Sequence, residues 1–233
     1  ATNTLHQWQT DALADVAANA AVEGADISYG TMAPTVLENN HTQISTKGIQ
    51  VTATNEAVTS AGRNNEMAYQ VAKAAKELKR DMETALLSNV AKSAGNATTA
   101  RKLGGCPTWY ETNVDAGTSG SGAGNGAIRT DGTQRAFTED QLKGILVSCY
   151  NEGGNPNMIM VNAFNKQKLS GFTGGSTRFD AAEDRRLITS IDVYESDFGT
   201  MQVAPNRFIR GANGTSAKIG QDAHILDMEY WAV

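Results

Sequence analysis

Residues 65–92, NEMAYQVAKAAKELKRDMETALLSNVAK, constrain the fold more than any other stretch. They contain no Gly or Pro and are rich in Ala, Leu, Met, Glu and Lys, residues that lose little on entering a helix. Met67, Val71, Ala74, Ala75, Leu78, Met82, Ala85, Leu86 and Val90 recur at steps of three and four, one stripe along a helix. Lys73, Lys76, Glu77, Lys79, Arg80, Asp81 and Glu83 take the other side, where Glu77–Arg80 and Lys79–Glu83 have pairing distance. At about 1.5 Å per residue the helix is a rod of roughly 40 Å. Its stripe is thin and Ala-rich, so strands and loops can lie close to it. The remaining chain must be arranged along this rod.

The 233 residues allow one large domain or two small ones. Hydrophobic residues make up 40%, enough for a core. The 23 Gly against 4 Pro indicate turns rather than stiff linkers. A formal charge of -5 leaves no basic footprint for reading nucleic-acid sequence. No apolar run reaches membrane-spanning length and no signal peptide opens the sequence, so the expectation is a cytosol-made protein with no membrane partner. Cys106 and Cys149 form no CxxC pair and read as structural free thiols. Ala1 in place of Met fits removal of an initiator Met or proteolytic processing.

Along the chain, an extended polar arm carries Trp8, and an Ala-rich segment follows with Leu13 and Val16 on one helical side and Gly24 as its stop. Trp8 either folds back on its own domain or anchors the arm on another subunit. Residues 25–61 are Thr-, Val- and Ile-rich. Ile49, Val51 and Ala53 alternate with polar residues as in a strand, whereas residues 38–47 are polar on both faces apart from Ile44. A hairpin of that kind buries little against its own domain and is expected to project. Residues 95–136 are loop-like, with a glycine-rich run at 117–126 expected to be mobile. That run lacks the Lys and the strand of a phosphate-binding loop.

From Phe137 the pattern turns α/β. Thr138 and Gln141 form a capping box. Leu142, Ile145, Leu146 and Cys149 face inward, and Gly153-Gly154 stop the helix. Residues 158–161 are a buried strand, and Asn162 caps a second helix that ends at Gly171. Another glycine-rich loop follows at 171–180. Leu187, Ile191 and Val193 belong to one face of a strand that turns through 196–199 into a partner holding Met201 and Val203. After a polar loop at 211–220, Leu226, Met228 and Tyr230 alternate in a last strand. Mixed in this way, strands and helices indicate an α+β fold.

No chemical constellation emerges. His6, His41 and His224 have no ligand partner at metal-binding spacing. No GxSxG elbow occurs, and Asp197-Phe198-Gly199 lacks the other kinase signatures. Glu183 and Asp184 precede Arg185 and Arg186, an ion-paired solvated loop. The expectation is no enzyme and no cofactor or metal.

The order of arm, projecting hairpin, long helix, glycine-rich loop and α+β unit resembles the Hong Kong 97-type fold of tailed-bacteriophage major capsid proteins. HQWQTDALA with NAAVEGAD, NEMAYQVAKAAKELKRDMETALLSN, and SDFGTMQVAPNRFIR with ILDMEYWAV carry the resemblance. It implies an N-arm at 1–24, an E-loop hairpin at 25–61, and a P-domain with spine helix and glycine-rich loop at 62–136. An A-domain would follow at 137–224 and a closing strand at 225–233. Members compared continue with further strand-forming sequence where this chain stops at Val233.

The resemblance further implies self-assembly into hexamers and pentamers of an icosahedral head shell around double-stranded DNA, without sequence reading. Scaffolding, portal and decoration proteins are possible partners, and the virion, assembled in host cytoplasm, is the location. Trp8, His41, Gln43, Ile44 and Lys47 are the candidate inter-subunit contacts. Some capsids of this fold link a hairpin Lys to a neighbour's Asn, and Lys47 is the hairpin's one lysine; plain solvation is its ordinary state. The competing class is an extracellular fibre, adhesin or surface-layer subunit, suggested by Gly, Thr, Ser and Asn content. A small hydrolase with an unrecognised site is the third.

Overall fold

The computed structural model describes residues 3–27, 29–58, 61–62, 65–172, 191–209 and 222–231. Its elements are mixed α and β, in two separate sheets. Strands β1 (Leu5–Thr10) and β2 (Val36–His41) pair antiparallel, Leu5 opposite His41 and Thr10 opposite Val36. Between them, the described residues of 11–35 form no helix or strand. A short helix α1 (Ala53–Ala57) follows, capped by the Thr52 hydroxyl.

The long helix forms as α2 (Glu66–Leu87), with Asn65 Oδ1 accepting from Ala68 N at 2.6 Å. Only Leu87 of this helix is fully buried. Its charges pair differently from the expectation: Lys73 reaches Glu77 at 3.9 Å, and Glu83 accepts from Asn206 at 2.7 Å. The end of α2 is locked by a short 3-10 turn (Cys106–Trp109). A Cβ on Gly105 would stand 1.9 Å from the Ser88 carbonyl oxygen, so only glycine lets these backbones meet.

Residues 137–172, 191–209 and 222–226 build the second unit. Helix α3 (Glu139–Asn151) begins with the capping box, Thr138 N donating to Gln141 Oε1 at 3.1 Å and Gln141 N to Thr138 Oγ1 at 3.4 Å. Strand β3 (Met158–Val161), helix α4 (Ala163–Ser170) capped by Asn162, and the hairpin of β4 (Val193–Ser196) and β5 (Gly199–Pro205) follow. Strand β6 (Ala223–Leu226) completes a sheet ordered β4-β5-β3-β6, in which β3 is parallel to β5 and antiparallel to β6. Leu142, Leu146, Ile159, Val161, Leu169, Met201 and Val203 form its core.

Four local expectations are corrected. The Ala-rich segment after the arm is not helical. Its residues are exposed and touch nothing that could offset the nucleation cost of so short a helix. Ile49, Val51 and Ala53 make no strand, because no partner strand lies beside them and the Thr52 cap commits the chain to α1. The glycine-rich run is packed rather than mobile. Ser121 bridges Thr130, and a Cβ on Gly122 would meet the Tyr110 and Glu111 carbonyls at 2.4 and 2.7 Å; these glycines serve close approach. The last strand ends at Leu226, and Asp227 Oδ1 accepts from Glu229 N to turn the chain. Leu187, the ion-paired loop at 183–186, most of the second glycine-rich loop and the polar loop at 211–220 lie outside the described residues.

Candidate subunit interface

The contact surface is set by how the first 47 residues sit on the rod. Residues 38–47 were expected to project; instead they are fastened to their own chain. Lys92 Nζ donates to Asn39 O at 2.8 Å. The Asn40 side chain accepts from Gly104 N at 2.9 Å and donates to Gly104 O at 3.4 Å. Arg101 Nε donates to Thr42 O at 2.6 Å. The polar character of the stretch, read as unable to bury, is the source of these bonds to a loop with open backbone groups.

The five predicted contact residues fall into two groups. Trp8 packs edge-on against Trp109 at 5.2 Å, and Lys92 caps the same indole at 5.2 Å, so Trp8 has a partner within its own chain. Gln43 Oε1 accepts from Leu103 N at 3.4 Å. Lys47 reaches Asp81 at 3.3 Å and Glu77 at 3.5 Å on α2. Hydrogen bonding to Asp81 leads in raising its pKa above the ordinary lysine value. His41 is half-buried at the end of β2, and Ile44 is 76% exposed. Of the five, Ile44 alone presents a bare apolar side chain.

The larger bare surface lies elsewhere. Leu13 (99% exposed), Val16, Val22, Ile27, Tyr29 (93%) and Met32 all stand in water along residues 11–35. On α2, Met67, Val71 and Met82 of the apolar stripe are also exposed. Uncovered apolar surface on this scale marks an interaction site. The Leu13–Val16 spacing and the α2 stripe were visible in the sequence; their lack of an internal partner was not.

The platform beneath is a buried polar junction. Asn89 is inserted beside Arg129, donating to its carbonyl at 3.0 Å and accepting from its N–H at 3.0 Å, a side chain imitating a strand partner. Arg129 spans Asp131 at 3.1 Å and Asp222 at 2.5 Å. Burial works against its charge, but the two carboxylates outweigh it and raise its pKa. Tyr110 OH lies 2.7 Å from Cys106 Sγ and 3.2 Å from His224 Nδ1, while His224 Nε2 has no partner among the described residues. Burial pushes Cys106 to about 11, Tyr110 well above its ordinary range, and His224 down to about 4. At neutral pH the imidazole is therefore neutral and the thiol protonated. A cleft of about 720 Å³ opens beside Tyr110, Arg129, Asp222, His224 and Trp231, where Arg129 is held by Asp222 and Tyr110 by Cys106 and His224. Among the described residues no three His, Cys, Asp or Glu side chains converge as a metal site, and no helix is long and apolar enough to cross a membrane.

Comparison with known proteins decides the family. Residues 1–233, the whole chain, match the model for the SU10 major capsid protein. The chain belongs to the SU10 major capsid protein family. It is also similar to the major capsid protein of Escherichia phage Phieco32, at 46% identity over 91 residues, 39% of this chain and 26% of that protein. That similarity covers about a quarter of the relative's length. Membership makes this a structural phage protein and not an enzyme, and it gives no support to a fibre, adhesin or surface-layer subunit.

Proposed function

We propose that many copies of this chain, as hexamers and pentamers, build the icosahedral head shell of a tailed phage and enclose double-stranded DNA without reading its sequence. The observation that carries this is the strap at 11–35, whose apolar side chains have no cover among the described residues of their own subunit while both its ends are fixed by the β1–β2 ribbon. A repeated chain closes into a shell only through contacts between unlike surfaces, and the strap and the α2 stripe are unlike surfaces. A wall that retains its contents by closure needs no basic interior, so the charge of -5 is compatible with it.

In terms of the Hong Kong 97-type fold, residues 1–24 act as the N-arm and 25–61 as the E-loop hairpin, with β1 of the arm paired to β2 of the hairpin. Residues 62–136 act as the P-domain around the spine helix α2. The unit from 137 to β6 acts as the A-domain, β6 being its edge strand rather than a separate closing strand. Trp8, Gln43 and Lys47 support the ribbon from beneath, and Ile44 reaches a neighbour. The virion is the site of action, with assembly in host cytoplasm and with scaffolding, portal and decoration proteins as partners. Sedimentation and negative-stain microscopy of the expressed protein test this. Shell-sized particles are expected; a monomer under every assembly condition contradicts it.

A further inference from the structure

Residues 11–23, DALADVAANAAVE, combine a helix-forming composition with a non-helical backbone. Ala fills six of the thirteen positions and neither Gly nor Pro interrupts, so the local preference is helical. Asp11 Oδ1 already accepts from Ala12 N at 2.9 Å, and Gly24 sits at φ +83°, where a helix would stop. Leu13, Val16, Ala17 and Ala20 would form one apolar face. Yet the segment has no helix, and Leu13 and Val16 are wholly in water. A helix this short does not hold alone; it forms when its face is covered.

The α2 stripe supplies a matching cover. Met67, Val71 and Met82 are exposed and extend over about 22 Å, against about 18 Å for a helix of residues 12–23, at 1.5 Å per residue. The charges are complementary. Residues 1–46 hold Asp11, Asp15, Glu23, Asp26 and Glu38 with no Lys or Arg, and the stripe is edged by Lys79, which is exposed. On the other edge Lys47 already occupies Glu77 and Asp81, removing acidic repulsion.

We propose that residues 12–23 turn from coil to helix when they dock on the uncovered α2 stripe of a second copy of this chain. The proposal rests on the shell reading and adds to it that assembly is coupled to folding of the strap. Coupled ordering offsets part of the contact energy. Each contact is thereby weak and reversible until many act together.

Hydrogen exchange on free subunits and on assembled shells tests it. The amides of residues 15–23, the first able to bond within the helix, should exchange freely in subunits and at least about ten-fold slower in shells. The pair Ala14→Gly and Ala18→Gly lies off the apolar face. Each change lowers helix formation about five-fold, so the pair should raise the concentration at which shells appear while leaving subunit melting unchanged. In shells, Leu13→Cys with Val71→Cys should cross-link between chains. Shells in which residues 15–23 exchange as in the subunit, or an unshifted threshold for the glycine pair, overturn the coupling while leaving the shell reading intact. Cross-links found only within one chain overturn the choice of a second copy. Absence of shells altogether overturns both.

Discussion

Replacing His224 by Leu removes a titrating ring from the junction between the two units. The ring is buried on β6, touches Tyr110 OH through Nδ1 and leaves Nε2 without a partner. Burial drops its pKa from the ordinary 6.5 to about 4; Asp222 opposes the drop and Arg129 assists it. The unfolded chain therefore binds a proton in a range where the folded chain does not. This group's contribution is complete above pH 6.5 and is lost as pH falls toward 4. The difference between 6.5 and about 4 corresponds to about 3 kcal/mol. Urea unfolding of the unassembled subunit at pH 7, 5.5 and 4, followed by tryptophan emission, measures it. The parent should lose this increment across the window in addition to losses from other groups. H224L should lack it, while Tyr110 keeps Cys106 as a partner. Parallel pH profiles for parent and variant refute the reasoning, as does an NMR titration that places the imidazole midpoint near 6.5.

Gly105→Ala forces a Cβ to 1.9 Å from Ser88 O and 3.1 Å from Ala85 O; chemical denaturation should show a loss of about 3 kcal/mol, the upper end for overpacking. Deleting residues 40–47 removes the bonds to Gly104, Arg101, Leu103 and Asp81 and should yield misfolded, aggregating protein. Replacing Leu13, Val16, Tyr29 and Met32 by Ser, by contrast, should leave subunit stability within about 0.5 kcal/mol per site and abolish shells. With a maleimide at pH 7.5, half-exposed Cys149 should react before Cys106, which is buried and shifted to about 11; the order is read by mass spectrometry.

Elements fixed by neighbours in sequence were legible. Thr138 and Asn162 cap the helices they were expected to cap, because a cap is a bond across three residues. Strand β3 and the β4–β5 turn were legible from short apolar runs with a tight connection. What depended on distant backbone was not. The pairing of β1 with β2 joins residues on either side of the strap, and nothing local records it. Gly122 and Gly105 read as freedom in sequence but act as contact points between backbones. The polar stretch at 38–47 read as unburiable, because its partners Lys92, Arg101 and Gly104 belong to another part of the chain. The candidate site shows the same division: Trp8 and Lys47 were picked as contacts and proved to have internal partners. Leu13 and Val16 were placed on one side of a helix that this subunit does not form.

A density map of assembled particles, traced through residues 11–35, tests the central claim most directly. The account predicts that Leu13, Val16, Tyr29 and Met32 lie against a neighbouring copy in each capsomer. A strap folded onto its own subunit, or left in solvent on the finished shell, would contradict it.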